Sequence, residues 1–256
     1  MSQGARPALS VVIPVFNEAQ SLVPLHARLT RTFAALDRPY EIIFVDDGSR
    51  DDSVDILRGL RARDATVRVI RFGRNYGQHA ALFAGMARAR GDVVVTLDAD
   101  LQNPPEEIPR LLAALVDGVD VVGGCRVSRR DPWIRRAASW LVNRATSAVV
   151  GVRLRDHGCM LRAYRRSAID RILGFPGAPR YIPVLAARFA SSMTEIPVGH
   201  SAREHGHSRY GPVRLLRLAF DLSVQVLALG PLGERARRVY QEVGRAPRYV
   251  IAEVLE

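Results

Sequence analysis

From Asp92 the chain runs Asp92-Val93-Val94-Val95-Thr96-Leu97-Asp98-Ala99-Asp100-Leu101-Gln102, an apolar run of strand length that ends abruptly in acid. A segment apolar on both faces of an extended chain belongs inside a sheet that is covered on both sides. Similar runs occupy Leu9–Phe16, Tyr40–Val45, Val67–Phe72 and Val119–Gly123, with this one counted as Asp92–Leu97. Between them lie segments of helical period: Glu18–Leu36, Asp52–Arg63, Gln78–Arg90 and Pro105–Val116. This alternation predicts an α/β fold with a mainly parallel central sheet flanked by helices. Sheets of this kind bind ligands beyond the carboxyl ends of their strands, so the residues that follow each run matter most.

Those residues are polar and specific. The first run ends in Pro14-Val15-Phe16-Asn17-Glu18, the second in Asp46-Asp47-Gly48-Ser49, the third in Gly73-Arg74-Asn75-Tyr76-Gly77 and the fourth in Asp98-Ala99-Asp100. In an extended chain residues i and i+2 point the same way, so Asp98 and Asp100 are expected to face one ligand. Two carboxylates brought together repel unless a cation lies between them, and oxygen donors suit Mg²⁺ or Mn²⁺, which in turn bind a diphosphate. Gln102 adds a neutral oxygen on the same face if the extended path continues. Asn103-Pro104 followed by Glu106-Glu107 reads as a helix start, and Ser49 and Asp51 read as turn and cap residues for the helix near Asp52. That leaves Asp46 and Asp47 able to accept from a base N–H or a ribose hydroxyl, with Glu18 available for the same task. Neither G-x-x-x-x-G-K nor G-x-G-x-x-G occurs, so a nucleotide diphosphate would be held without a glycine-rich phosphate loop.

Composition narrows the class. With 256 residues, 48% apolar and 25% charged, the chain is neither disordered nor collagen-like. Two cysteines, Cys125 and Cys159, exclude a disulfide scaffold, offer no zinc cluster and suggest a reducing, cytoplasmic compartment. The net charge of +11 is carried by 37 basic residues, every one an arginine. Arginine's planar fork matches phosphate oxygens, which points to nucleic acid, an anionic membrane surface or a phosphorylated small molecule, although a genome-wide preference for arginine explains the missing lysine equally well. A nucleic-acid binder has no use for Asp46, Asp47, Asp98 and Asp100 on one rim, so nucleic acid is disfavoured.

Beyond residue 125 arginines crowd at 126, 129, 130, 135 and 136, the last two within a helix-like stretch, Trp133–Val149. Asp156-His157-Gly158-Cys159-Met160-Leu161-Arg162 follows, then helices near Arg166–Leu173 and Tyr181–Phe189, a strand at Met193–Val198 and a polar loop from Arg203 to Arg209. In that loop His205 and His207 suit a closing segment better than a metal site, and Cys159 and Met160 read as packing residues. The longest apolar stretch near the C-terminus, Leu222–Leu229, is too short to cross a bilayer, and no signal-peptide pattern opens the chain, so a soluble or peripheral protein is expected. Residues 1–230 read as one domain, with 9–125 the half that would hold a nucleotide diphosphate and 126–230 the acceptor-side half, and 231–256 as an extension. The strand-prone end, Arg248–Leu255, would suit pairing with another subunit's sheet edge in a homo-oligomer.

Val11–Glu18, Val45–Ser49, Arg74–His79, Leu97–Glu106 and Gly158–Arg166 together resemble the family-two glycosyltransferases that charge polyisoprenyl phosphates, over about residues 9 to 230. The resemblance implies the A-type glycosyltransferase fold and a metal-dependent, inverting transfer from a nucleotide-diphosphate sugar, UDP-linked, to a polyisoprenyl phosphate. By the same resemblance Asp46 holds the base and Glu18 the ribose, with Pro14, Asp47 and Gln78 beside the donor. Asp98, Asp100 and Gln102 match the metal positions, Asp100 and Arg162 join the catalytic set, and Asp156 stands near the acceptor phosphate. Arg126, Arg135 or Arg136, Arg162, Arg203 and Arg209 fall where diphosphate and lipid phosphate are gripped. A phosphate acceptor is already largely ionised at neutral pH, so Asp156 is expected to position rather than deprotonate. Where such enzymes carry spanning helices after the region matching Val213–Leu229, this chain runs Gly230-Pro231-Leu232-Gly233. Two readings follow: Val213–Leu229 lies in the membrane interface as a basic amphipathic helix, or the acceptor is a water-soluble molecule.

Overall fold

The computed structural model describes residues 7–126, 156, 158–174, 182–201 and 249–256. Its elements run β1 (Leu9–Val15), α1 (Ala19–Ala34), β2 (Tyr40–Asp46), α2 (Ser53–Arg63), β3 (Val67–Phe72), α3 (Gln78–Arg88) and β4 (Val93–Thr96). A 3₁₀ turn (Pro105–Glu107), α4 (Ile108–Ala114), β5 (Val121–Arg126), β6 (Arg162–Arg165), α5 (Arg166–Leu173), α6 (Ile182–Phe189), β7 (Met193–Val198) and β8 (Ile251–Leu255) complete them. The eight described strands form one sheet in the order β7-β5-β6-β4-β1-β2-β3-β8.

The centre is parallel, as the doubly apolar strands require: β1 pairs with both β2 and β4, and β2 with β3. Alternate residues of β1 serve opposite cores. Val11, Ile13 and Val15 pack with Leu22, Leu25, Leu29 and Phe33 of α1, a spacing that puts four apolar side chains on one helical face. Val12 packs on the other side with Leu82, Phe83 and Met86 of α3. There α3 comes so close that a Cβ on Gly85 would lie 2.3 Å from Val12 Cγ1.

Arg162–Arg165 form β6, a strand not anticipated from the sequence pattern, which runs antiparallel between β4 and β5. The terminal strand pairs antiparallel with β3 of its own chain and so forms the edge of the central sheet. Asn103 does not cap a helix. It is buried, with Cys159 Sγ 3.9 Å from its Oδ1, and the helix opens instead with the 3₁₀ turn after Pro104. Pro14 sits where β1 outruns β4, whose last partner is Val12, so its missing N–H costs no bond of that ladder.

Candidate active site

The loops after β1 and β2 are laced to each other by side chains accepting from main-chain N–H groups. Ser49 Oγ accepts from Asn17 at 2.9 Å, Asn17 Oδ1 from Arg50 at 2.8 Å, Ser53 Oγ from Glu18 at 3.0 Å and Asp51 Oδ2 from Ala19 at 3.1 Å. Ser49 therefore bridges two loops, while Asp51 caps as expected by accepting from Ser53 N at 3.1 Å. This mesh holds the backbone of Glu18, whose side chain is half-buried.

Asp46 and Asp47 face inward. Asp46 is fully buried, and both its oxygens lie within 3.3 Å of Ser49 N. Burial raises its pKa, tempered by the Ser49 hydrogen bonds and the Arg71 charge. Asp47 accepts from Tyr76 N at 2.6 Å and Gly77 N at 2.8 Å. Burial pushes its carboxyl up to about 6 against the pull of those two bonds. In this structure both carboxylates also brace the rim through main-chain N–H groups. Gly48 completes the brace. At φ 72° it packs so tightly on the next loop that a Cβ would stand 2.5 Å from the Arg74 carbonyl carbon.

Asp47 thereby secures the start of α3, and the first residue of that helix reaches the acidic triplet. Gln78 Nε2 donates to Asp98 Oδ1 at 2.6 Å. The extended path expected through Gln102 is not followed, since the β4 ladder stops at Thr96 and Leu101 adopts φ 62°. Gln102 N then folds back onto Asp100 Oδ1 at 3.2 Å. The alternation of burial nevertheless persists, with Leu97, Ala99 and Leu101 buried and Asp98, Asp100 and Gln102 half-buried at the rim. Among the described residues no group of three or more His, Cys, Asp or Glu side chains gathers round a metal position. Two carboxylates and an amide oxygen still fit Mg²⁺ or Mn²⁺, hard cations commonly held by one or two carboxylates plus substrate phosphates.

On the far side of the rim Asp156, only 2% exposed, takes a bidentate grip from Arg126, with Nε to Oδ2 at 2.7 Å and Nη2 to Oδ1 at 2.9 Å. Burial works against the Arg126 charge, but Asp156 outweighs it and holds the guanidinium pKa above its usual value, with Asp98 adding to the effect. Arg162 lies beneath this pair. It is wholly buried within β6 and donates to the carbonyls of Cys159 (Nε, 2.8 Å) and Asp156 (Nη2, 3.1 Å). Burial, reinforced by the Asp156 charge, pushes the Cys159 thiol up to about 11, consistent with a packing role. Sequence reasoning passed over Glu195, which accepts from Asp156 N at 3.0 Å; a lone glutamate in a strand carries no local signal. Arg135, Arg136, Arg203, Arg209, His205 and His207, and the stretches Trp133–Val149 and Val213–Leu229, lie outside the described residues.

The sequence pattern of Glycosyl transferase family 2 matches residues 10–173. The undecaprenyl-phosphate 4-deoxy-4-formamido-L-arabinose transferase of Aeromonas hydrophila is 39% identical over 305 aligned positions, covering 96% of this chain and 94% of its own. That aligned span is longer than this chain, so the relative carries residues inside it that this chain lacks. The enzyme of the same name from Pseudomonas syringae is 52% identical over 215 positions. Those positions are 84% of this chain and 64% of that one, so the chain spans under two thirds of this relative's length. Among solved structures, glucosyl-3-phosphoglycerate synthase from Mycobacterium tuberculosis, crystallised with Mn²⁺, UDP and phosphoglyceric acid, superposes with a TM-score of 0.65 at 21% identity. The overlap covers 87% of this chain and 78% of that one. The same enzyme with Mg²⁺ and UDP gives 0.62. These likenesses show a shared A-type glycosyltransferase fold.

Proposed function

Because this chain belongs to glycosyl transferase family 2, we propose that it moves a sugar from a UDP-linked donor to a polyisoprenyl phosphate, with inversion at the anomeric carbon. Two relatives named for an undecaprenyl-phosphate acceptor support the lipid substrate. The observation that carries the donor side is the acidic turn after β4, where Gln78 holds Asp98 at 2.6 Å and Asp100 stands half-buried beside it. Residues 9–125 would take the nucleotide sugar and 126–230 the acceptor, at a membrane surface. Among the described residues no helix is long and apolar enough to cross a membrane.

In this reading the acceptor's phosphate oxygen attacks the anomeric carbon as the bond from that carbon to the diphosphate oxygen breaks. Asp98, Asp100 and the Gln102 amide oxygen would hold Mg²⁺ or Mn²⁺, which when bound would supply positive charge against the leaving diphosphate. Gln78 fixes the Asp98 carboxylate, and Glu18 offers a carboxylate for a ribose hydroxyl from a main chain already locked by Ser53. Arg126 presents a guanidinium that Asp156 keeps charged and aimed. Asp156 needs no proton for this, because a phosphate monoester acceptor arrives largely ionised.

The test is transfer of radiolabelled sugar from UDP-sugars to undecaprenyl phosphate in vesicles with Mn²⁺. Asp100→Ala is expected to lower turnover by about 10²-fold or more while the protein stays folded. An Asp100→Ala enzyme as active as the parent would defeat the proposal.

A further inference from the structure

Gly123 on β5 stands in register with Arg162 on β6 and with Glu195 on β7. Cross-strand partners share a face, so these two long side chains emerge on one side of the sheet with only a hydrogen between them. Both close on the main chain of one residue. Glu195 Oε1 accepts the Asp156 N–H at 3.0 Å, and Arg162 Nη2 donates to the Asp156 carbonyl at 3.1 Å. The side chain of Asp156 is meanwhile occupied by Arg126, whose own main-chain N–H also reaches Oδ2 at 3.3 Å, and by Gly158 N at 3.2 Å.

We infer that Glu195 and Arg162 are positioning residues that fix the main chain on both sides of the Asp156 Cα from two flanking strands and thereby set the direction in which Arg126 meets phosphate oxygens. The inference rests on the functional reading above for its kinetic consequence, but not for its geometry. A bidentate pair transmits orientation: with Nε and Nη2 committed to Asp156, Nη1 is the remaining edge of the guanidinium, and a rotation of the main chain at residue 156 swings it away from a bound phosphate. Small misplacements of such a group cost rate far more than binding of the distant parts of a substrate.

Glu195→Gln keeps the accepting oxygen, whereas Glu195→Met keeps the length and removes it. In the full-length protein, hydrogen exchange of the Asp156 amide and the Arg126 Nε–H signal report the geometry without any turnover. Glu195→Met is expected to speed both exchanges by about ten-fold or more, and Glu195→Gln to leave them near the parent. In the transfer assay Glu195→Met should lower kcat by about ten-fold with the donor KM within about two-fold, and Glu195→Gln should restore it. Unchanged exchange in Glu195→Met, or a Glu195→Gln enzyme as impaired as Glu195→Met, overturns the inference. Absence of transfer in the parent itself, with the exchange difference present, overturns the functional reading and leaves the positioning geometry standing.

Discussion

Asp47 shows how much one buried carboxylate does at this rim. Its two oxygens each take a separate main-chain N–H, from Tyr76 and Gly77, so an amide cannot replace it. Asp47→Asn turns an NH₂ group against one of those donors and is expected to cost about 1–3 kcal/mol in denaturant unfolding. The pH dependence has a defined sign. Because burial raises the folded pKa from 3.8 to about 6, the native state binds this proton more tightly than the unfolded chain does. Its stabilising contribution is therefore complete below about pH 4 and is lost as pH rises through about 6, on the order of 3 kcal/mol at most. Unfolding curves of the parent should show that decline and those of Asp47→Asn should lack it. Asp156 makes the complementary case. Asp156→Asn leaves the Arg126 charge without its buried counterion and is expected to lower both stability and kcat, yet to keep the acid limb of the pH–rate profile. Loss of that limb would make Asp156 the base.

At the scale of elements, the donor rim is a set of loops that support one another in sequence. The loop after β2 braces the loop before α3 through Asp47 and Gly48, and α3 in turn holds Asp98 through Gln78. Gln78→Ala is expected to leave the melting temperature nearly unchanged while raising the Mn²⁺ concentration needed for half-maximal transfer by about ten-fold. A metal titration at saturating donor checks this. Gly48→Ala acts one step earlier, driving a methyl group into the Arg74–Asn75 backbone at a φ that L-residues avoid, so it should weaken folding and metal affinity together. These elements were legible in the sequence: each central strand and its following helix lie within a few residues of the expected bounds. The inward turn of Asp46 and Asp47 was not, because the N–H groups that attract Asp47 come from a loop some thirty residues later.

For the whole molecule, the edge opposite β7 is closed by charge as well as by β8. Arg68 and Glu41 form a buried pair at 2.7 Å, Glu41 also accepts from Ser10 Oγ and Arg90 N at 2.6 Å, and Glu256 reaches both Arg68 and Arg90. Burial opposes the Arg68 charge, and Glu41 and Glu256 override it, so its pKa is raised. Glu41→Ala leaves the buried Arg68 guanidinium with only the half-exposed Glu256 as counterion and should cost about 1–3 kcal/mol by chemical denaturation, more than an exposed pair such as Arg58–Asp55. Tyr249 stacks on Phe72 at 4.9 Å, and Phe72 meets Tyr76 edge-on at 5.6 Å, so the last strand also leans on the loop that carries α3.

Local pattern alone determined the alternating parallel core, the polar rim at its strand ends and the acidic turn after β4, since periodicity and turn chemistry operate over a few neighbouring residues. Tertiary structure decided which polar groups stay at the surface of that rim. It buried Asp46, Asp47 and Arg162, joined Glu195 to Asp156 across β5, and laid β8 along its own β3. Each of those outcomes depends on donors and acceptors far apart in the chain that meet only when the sheet closes, and a buried polar group settles wherever such a partner is found.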